Sequence, residues 1–557
     1  MLLREHRRKP KGLADLLTWG ALVAPGVIVN KDGSFLAGWT YRGPDMDSAS
    51  PEELAILARQ VNAALLPLGH NWMLQVDAVR SPSAEYPTAG AFPDPITELI
   101  DEERRRHYTG AGRNHETSYT LLVTHMPPQE ASSRAVKWFI EGSEDRGIDW
   151  DEQLELFEKQ LSDVEDRLSS LLSICRLDSS DVLAHLHRCL TGLDHPVAVP
   201  DPPCYLDAVL ADQDFSGGFA PRIGREWIAP IGLTSFPGQT TPGVLSFLDR
   251  LPVSYRYSTR WIPLDPETAS RHIRRYRMKW WQKRRGLTGL LAEIVSPAGK
   301  RRHVFPNKDA LRMARDADEA MADAASHAVR YGYYTPALIL MNEGALELNE
   351  TVRLVLKELR NHGFGARLEE VNAIEAFLAS LPGHGHPNVR RPLISTRNLA
   401  DLLPLTSVWA GLPANPSPMF RTGSPALLWA ATSGSTPFRL NLHVSDVGHT
   451  LVVGPTGSGK STLLGLMQAQ WFRYPESQVF VFDKGYSAKP LVQAAGGHHY
   501  AIAGQSVDSL SFSPLAGIRD RHERVWTAEW LEVLLDLQGL NVTPRQRTAI
   551  YIALELL

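Results

Sequence analysis

Along residues 26–371 the hydrophobic positions switch repeatedly between the period of a strand and the period of a helix. Two apolar runs flank a turn at residues 30–33, which predicts a β-hairpin. Residues 51–66 have helical spacing, with Ser50 as the N-cap and Pro51 at the first helical position. The same patterns predict strands at 72–79, 119–124, 226–233, 253–262, 335–341 and 365–371, and helices at 151–172, 307–331 and 346–362. This interleaving predicts a large α+β domain over residues 1–410, as one body or as two subdomains.

A segment rich in Pro, Gly and Ser separates this domain from a second pattern, and we predict a linker at 411–430. Beyond it, residues 437–443 alternate as a strand, and the apolar runs at 451–453 and 478–483 are typical of buried parallel strands. Helices are predicted at 462–472, at 526–537 and after the N-cap Thr543. The order of these elements predicts an α/β domain that begins at residue 431 and continues to residue 557.

A glycine-rich loop stands between the apolar run 451–453 and the helix that follows it. It reads Gly-Pro-Thr-Gly-Ser-Gly-Lys-Ser-Thr, which in this strand–loop–helix context is typical of a phosphate-binding loop. Glycines let consecutive backbone N–H groups turn inward onto phosphate oxygens, and the helix N-terminus adds about half a positive charge. The alternative is a glycine-rich turn that fits the pattern by chance.

The chemistry of this loop predicts Mg²⁺ and ATP as cofactors. Lys460 is the candidate catalytic residue, because its ammonium would reach the β- and γ-phosphates. Ser461 is the candidate Mg²⁺ ligand. The predicted nucleotide contacts are Gly454, Pro455, Thr456, Gly457, Ser458, Gly459, Lys460, Ser461 and Thr462.

The groups that would complete ATP hydrolysis are not recognisable after the loop. Asp483 ends an apolar run, but Lys484 stands where a catalytic Glu would follow, so Asp483 is interpreted as a residue of a neighbouring strand. No later apolar run ends in Asp-Glu. We therefore expect a chain that is cut before the motor is complete and that binds ATP with negligible turnover.

Composition and charge limit the other interpretations. The chain has 557 residues, 43% of them hydrophobic, and a formal net charge of −4, which is typical of a folded multidomain protein and excludes a globally basic nucleic-acid coat. Residues 271–285 are a local exception, with eight Lys or Arg and no acidic residue. They form either a nucleic-acid docking face or a solvated helix face anchored by Trp280 or Trp281, and the second interpretation is favoured.

Other candidate features carry less chemistry. The odd set of Cys175, Cys189 and Cys204 matches no common zinc spacing and is expected to be reduced, with no assigned role. His384 and His386 lack a third ligand and are interpreted as loop residues. The basic opening at residues 4–11 is interpreted as a solvated tail, with contact to anionic lipid as the alternative, and the apolar stretch at 16–29 is too short for a membrane span. A cytoplasmic location is expected.

Several of these pieces together resemble the VirB/TrbE/CagE ATPases of type IV secretion, and the opening of the chain resembles TrbE, the conjugal-transfer branch. The resemblance spans essentially the whole chain and rests on Leu381-Pro-Gly, the run at 395–404, Gly448-His-Thr-Leu, the glycine-rich loop, and the VFVFDKGYS run with the Ala495-Gly-Gly that follows it.

The resemblance implies a cytoplasmic ATPase, peripheral at the inner membrane of a Gram-negative bacterium, that powers apparatus or pilus assembly and substrate transfer. It implies a docking domain for other secretion subunits, a homo-oligomer that is a hexamer, and a RecA-like P-loop NTPase domain with a helical insertion that starts near residue 519. The family's nucleotide contacts carry over to residues 454–462. Its magnesium-orienting acid, catalytic Glu and inter-subunit arginine have no matching positions here.

Two other functions fit parts of the sequence. A ring-forming DNA translocase of the coupling type would use the basic run at 271–285, although a large α+β domain rather than paired membrane spans precedes the loop. A non-hydrolysing assembly subunit, switched by bound nucleotide, would explain a complete loop beside a missing second half of the motor.

Overall fold

The computed structural model describes residues 12–45, 49–83, 85–88, 90–109, 114–126, 150–283, 308–385, 390–502, 510 and 512–557. The chain divides into two compact units. The large unit comprises residues 1–87 and 104–449, and the small unit comprises residues 88–103 and 450–557. The division into docking domain, linker and ATPase domain stays a prediction.

All strands among the described residues lie in the large unit. They are β1 (Trp19–Ala24), β2 (Val27–Asn30), β3 (Phe35–Arg42), β4 (Trp72–Pro82), β5 (His115–His125), β6 (Ser173–Arg176), β7 (Phe215–Ser216), β8 (Arg222–Ile223), β9 (Glu226–Ser235), β10 (Tyr255–Pro263), β11 (Tyr331–Asn342), β12 (Gly365–Leu368), β13 (Leu393–Ser395), β14 (Leu428–Ala430) and β15 (Phe438–Leu440).

The helices are distributed over both units. They are α1 (Leu13–Leu16), α2 (Pro51–Leu65), α3 (Pro95–Tyr108), α4 (Trp150–Ser169), α5 (Ser179–Thr191), α6 (Leu206–Leu210), α7 (Pro266–Lys283), α8 (Lys308–Ala325), α9 (Ala345–Asn361), α10 (Ala373–Ala379), α11 (Thr396–Leu402), α12 (Lys460–Trp471), α13 (Lys489–Ala494), α14 (Arg521–Leu537) and α15 (Pro544–Leu556). Among the described helices, none is both long enough and apolar enough to cross a bilayer.

One large antiparallel sheet organises the large unit. Its strand order is β1-β2-β3-β5-β4-β10-β11-β9-β8-β7, with β6, β12 and β13 paired to β3, β9 and β11. The predicted hairpin at residues 26–43 is confirmed, because β2 and β3 pair with Ile28 opposite Leu36. Strands β14 and β15 form a separate two-stranded sheet. The described chain is therefore a mixed α and β protein built on an antiparallel sheet.

Side-chain alternation gives this sheet two buried faces. In β4, Leu74 and Val76 contribute to one apolar core, which α2, α4 and α9 cover. A second core on other residues includes Leu122 of β5 and the apolar face of α5. Between the core positions of β4, Gln75 and Asp77 are polar yet almost fully buried. Because successive side chains of a strand point to opposite faces, these two polar residues share the face opposite Leu74 and Val76.

The two helix N-caps predicted from the sequence, Ser50 and Thr543, are confirmed. Ser50 Oγ accepts from the Glu53 N–H, and the Glu53 side chain returns to the Ser50 N–H, which completes a capping box at α2. The same box forms between Thr543 and Gln546 at α15. These caps satisfy backbone donors that a helix leaves open at its first turn.

Two predicted strands are wrong in this structure. Residues 451–453 and 478–483 have no strand pairing among the described residues, and Leu451 is 86% exposed and Phe482 98% exposed. A strand needs a neighbour for its N–H and C=O groups, and the described part of the chain provides none for either run. The parallel sheet expected within residues 431–557 is therefore absent from the described residues.

Candidate nucleotide-binding site

The glycine-rich loop leads directly into α12 of the small unit. Gly459 is the N-cap of this helix with φ 86°, and Gly457 has φ 83°. An added Cβ at either position would meet no atom within 4 Å, so the backbone conformation, rather than space, requires glycine there. Left-handed φ values of this kind are strained for other residues and let a loop turn its N–H groups toward one point.

The remaining loop residues pack closely on each other. A Cβ at Gly454 would lie 3.0 Å from Ser458 Oγ and 3.6 Å from Lys460 Cδ. The Lys460 side chain folds back over the loop, and its Nζ donates to Pro455 O at 2.7 Å. The structure thus brings together the lysine and the glycines that the sequence singled out.

The hydrogen bond from Lys460 to Pro455 holds the lysine side chain against the loop. Lys460 is half-buried, whereas Ser461 and Thr462 in the first turn of α12 are exposed. If the Lys460 ammonium exchanged this neutral carbonyl for a charged phosphate oxygen, it would gain a stronger, charge-assisted hydrogen bond. No acidic side chain occupies the first turn of the helix, so its positive end is not neutralised there.

Asp483 has a local structural role in this unit. Its carboxylate accepts from the N–H groups of Gly485 and Ala488 at 3.0 and 2.9 Å, and from Ser487 Oγ at 3.1 Å. These hydrogen bonds, first that from Ala488, lower the pKa of the exposed carboxyl. Asp483 is therefore a turn-capping residue here, and the strand to which the sequence assigned it is not formed.

Sequence reasoning missed the support at the other end of α12. Arg473, two residues beyond the helix, donates to Asp101 Oδ1 at 2.5 Å and to Gln470 Oε1 at 2.9 Å, and both charged side chains are almost fully buried. The Arg473 carbonyl also accepts from the Ala91 N–H at 3.2 Å. No local pattern links residues 372 positions apart in sequence, so only the fold reveals this pair.

Two arginines of the basic helix α7 form ion pairs. Arg271 pairs with Glu267 of the same helix at 3.3 Å, and Arg277 pairs with Asp318 of α8 at 2.6 Å. The side chains of Trp280 and Trp281 and the last two arginines of the run lie outside the described residues, as do the basic opening and His386. His384 is buried and accepts from the Thr18 N–H at 3.2 Å, which fits its interpretation as a loop residue.

Comparison with known families gives two matches along the chain. Residues 26–133 match the model for the type IV secretion system ATPase VirB4/TrbE, N-terminal domain. Residues 296–390 match the model for the CagE, TrbE, VirB family, component of type IV transporter system. Both segments lie outside the glycine-rich loop, so they support the resemblance independently of that motif.

Individual relatives extend the similarity over nearly the whole chain. The chain is 40% identical over 570 residues to the conjugal transfer protein TrbE of Rhizobium radiobacter, an alignment that covers 98% of this chain and 68% of the relative. It is 42% identical over 411 residues to a probable conjugal transfer protein TrbE of Sinorhizobium fredii, which covers 71% of this chain and 61% of that relative.

A more distant similarity points to the same family. The type IV secretion system protein virB4 of Brucella suis is 20% identical over 583 residues, which covers 97% of this chain and 65% of that protein. The chain thus spans roughly two thirds of the length of these relatives. On the identity and coverage shared with the Rhizobium radiobacter protein, and on the two family matches, the chain belongs to the VirB4/TrbE family of type IV secretion system ATPases.

Proposed function

We propose that this chain is the ATP-binding motor subunit of a conjugal transfer system, with Mg·ATP held by residues 454–462. The proposal includes a RecA-like fold for the motor domain. Lys460 would contact the β- and γ-phosphates, and Ser461 would hold the Mg²⁺ that bridges them. Binding and hydrolysis of ATP would drive apparatus or pilus assembly and substrate transfer.

One observation carries this proposal. Two left-handed glycines, Gly457 and Gly459, lead into the N-terminus of α12 while Lys460 folds over the same loop. A glycine-rich turn that fits the pattern by chance is not expected to combine left-handed glycines, a helix N-terminus without acidic residues and a lysine folded over the loop. Each of these features favours anionic phosphate, and together they support an anion-binding site at this loop.

The partners follow from the family. We propose that the large unit docks other type IV secretion subunits at the cytoplasmic face of the inner membrane, with the chain held peripherally. We further propose that the motor assembles as a homo-oligomer, a hexamer by resemblance to the family. The curated relatives are named as conjugal transfer and type IV secretion proteins, which supports this setting.

The two rival functions gain less support. The basic face of α7 would serve a DNA translocase, but Arg271 and Arg277 are paired with carboxylates, which reduces the charge available for phosphate. The nucleotide-switch alternative shares the binding site and differs only in turnover. Steady ATP hydrolysis by the purified chain would exclude it.

Nucleotide titration tests the proposed site. Lys460→Ala should weaken Mg·ATP binding by roughly 10- to 150-fold, because a hydrogen bond to a charged group contributes about 1.5–3 kcal/mol. Binding is measured by calorimetry with Mg·ATP and, independently, by displacement of a fluorescent ATP analogue. The matched control is Lys484→Ala, which removes an exposed lysine of the same unit.

The titration distinguishes a specific role of Lys460 from a general effect of removing a lysine. Wild type and Lys484→Ala should bind with the same affinity, and both should require Mg²⁺ for full affinity. If Lys460→Ala binds as tightly as the control, the assignment of residues 454–462 is wrong. If the folded wild-type chain binds no nucleotide, the proposed motor function of this chain fails with it.

A further inference from the structure

A polar cluster lies inside the large unit, on residues that the nucleotide site does not use. Asp77 is on β4 near the middle of the sheet, with Thr120 of β5 and Ser258 of β10 as its cross-strand neighbours. Helix α5 covers this face and presents His185 and Cys189 toward Asp77. These two residues stand four positions apart, so they share one face of the helix.

The three donor atoms form a compact triangle. His185 Nε2 lies 3.2 Å from Asp77 Oδ2 and 3.4 Å from Cys189 Sγ, and Cys189 Sγ lies 3.6 Å from Asp77 Oδ2. The side chain of His185 is 9% exposed and that of Asp77 is fully buried. Cys189 is also fully buried. One carboxylate, one imidazole and one thiol therefore converge on a single point away from bulk solvent.

This triangle has the dimensions of a tetrahedral zinc shell. With bonds of about 2.3 Å to sulfur and about 2.0 Å to nitrogen and oxygen, tetrahedral zinc separates its ligand atoms by about 3.5 Å where sulfur is one of them and about 3.3 Å otherwise. The three observed separations fall close to these values. We propose that Asp77 Oδ2, His185 Nε2 and Cys189 Sγ bind a zinc ion that fixes α5 to the centre of the sheet.

The groups around the three donor atoms suit such a site, because His185 and Asp77 each have a further polar contact. His185 Nδ1 lies 3.4 Å from Thr120 Oγ1, so the ring nitrogen that faces away from the metal has an oxygen partner. The second carboxylate oxygen, Asp77 Oδ1, lies 3.5 Å from Arg256 Nη1. Partners of this kind orient the ligands of metal sites and hold the histidine in one tautomer.

The charges of the ligands also suit a divalent ion. The Asp77 carboxylate and the thiolate that Cys189 would form on binding the metal together balance the two positive charges of Zn²⁺, with His185 as a neutral ligand. Arg256 would keep its contact with Asp77 Oδ1.

The donor set selects the class of metal. Thiolate and imidazole suit zinc and related transition metals, whereas Mg²⁺ and Ca²⁺ prefer oxygen ligands only. Three protein ligands leave one tetrahedral position, which water fills in other three-ligand zinc sites. This zinc site is independent of the proposed nucleotide site, because none of its three ligands belongs to residues 454–462.

Metal titration of the full, tag-free chain without nucleotide tests the proposal. The metal-free chain is titrated with Zn²⁺ against a chromophoric chelator and, separately, with Co²⁺. Wild type should bind one Zn²⁺ tightly, and its Co²⁺ form should show a sulfur-to-cobalt charge-transfer band. Cys189→Ser keeps the side-chain volume and should abolish the band. It should weaken Zn²⁺ binding by more than the roughly 10- to 100-fold that is lost when a hydrogen-bond partner of a metal ligand is removed.

A control variant and a measurement on wild type alone test the same ligands. Cys175→Ser removes an exposed thiol and should retain both stoichiometric Zn²⁺ binding and the cobalt band. X-ray absorption of Zn²⁺-loaded wild type should give one sulfur at about 2.3 Å with only nitrogen and oxygen otherwise. The proposal is overturned if folded wild type binds no stoichiometric Zn²⁺, if Cys175→Ser loses the band, or if the absorption spectrum contains no sulfur ligand.

Discussion

The buried ion pair of Arg473 and Asp101 gives the most quantitative prediction for the small unit. Arg473 is 1% exposed and Asp101 4% exposed, and their side chains are joined at 2.5 Å. Gln470 of α12 shares the guanidinium, and the backbone of Arg473 binds Ala91. Arg473→Met keeps the apolar length of the side chain but removes the guanidinium that the buried Asp101 carboxylate contacts.

The magnitude follows from the burial of both partners. Removing one member of a buried pair costs about 3–5 kcal/mol, because the remaining charge loses its partner without regaining water. Since 1.4 kcal/mol corresponds to a factor of ten, local opening should become about two to three and a half orders of magnitude more frequent. The double variant Asp101→Asn with Arg473→Met should lose much less than the sum of the single variants, because it leaves no unpaired charge.

Hydrogen exchange measured by mass spectrometry reads this local opening directly. Peptides that cover residues 90–103 and 460–474 should exchange faster in Arg473→Met, while peptides from the large unit should keep the wild-type rate. The control Arg545→Met removes an exposed arginine of the same unit and should change little. If Arg473→Met exchanges no faster than this control, or if the double variant is as damaged as the sum of both changes, the buried pair does not stabilise this unit.

Two further predictions address the loop and the sheet. Gly459→Ala should fold but bind Mg·ATP more weakly, because a side chain at φ 86° costs about 1–2 kcal/mol in the loop conformation. Gly496→Ala, at φ 75° and also in open space, should leave nucleotide affinity unchanged in the same titration, and equal losses in both variants would contradict a specific role for Gly459. His115 gives a pH dependence: burial and the nearby Arg80 lower its pKa to about 4. The unfolded chain therefore binds the extra proton between about pH 6.5 and 4, and stability should fall as the pH drops through this window. His115→Gln should remove about 1–2 kcal/mol of this loss at pH 5, as measured by urea unfolding at pH 7 and pH 5. Identical pH profiles for variant and wild type would refute the assignment.

Local signals in the sequence were sufficient for several elements of the large unit. The helix at residues 51–65 is defined by an apolar stripe and by the Ser50 capping box, both of which are visible within fifteen residues. The hairpin of β2 and β3 follows from two apolar runs around a short turn. In these cases the local preference and the burial in the fold agree.

The sequence pattern failed where structure depends on distant neighbours. The runs at 451–453 and 478–483 have the composition of buried strands, yet no described strand pairs with them, so Leu451 and Phe482 stay exposed. The assignment of residues 88–103 to the same unit as residues 450–557 also has no local signal, since it depends on contacts such as Asp101 with Arg473.

The candidate zinc ligands also could not be predicted as a set, because one of them is distant in sequence from the other two. His185 and Cys189 are four positions apart, a spacing that places both on one face of a helix. This local signal was missed because the three cysteines were compared only with the spacings of common zinc sites. Asp77 lies 108 residues before His185, so only the packing of α5 on the sheet brings it to them. The glycine-rich loop could be predicted because its chemistry depends on consecutive residues and on the helix that they begin.

A structure of this chain with bound Mg·ATP is the most direct test of the proposed nucleotide site. The triphosphate should lie at the N-terminus of α12, within hydrogen-bond distance of the backbone N–H groups of residues 457–461. Lys460 Nζ, which donates to Pro455 O at 2.7 Å, should move to the β- and γ-phosphates. Nucleotide bound elsewhere, or a bound triphosphate with Lys460 still on Pro455 and the loop amides turned away, would refute the proposed site.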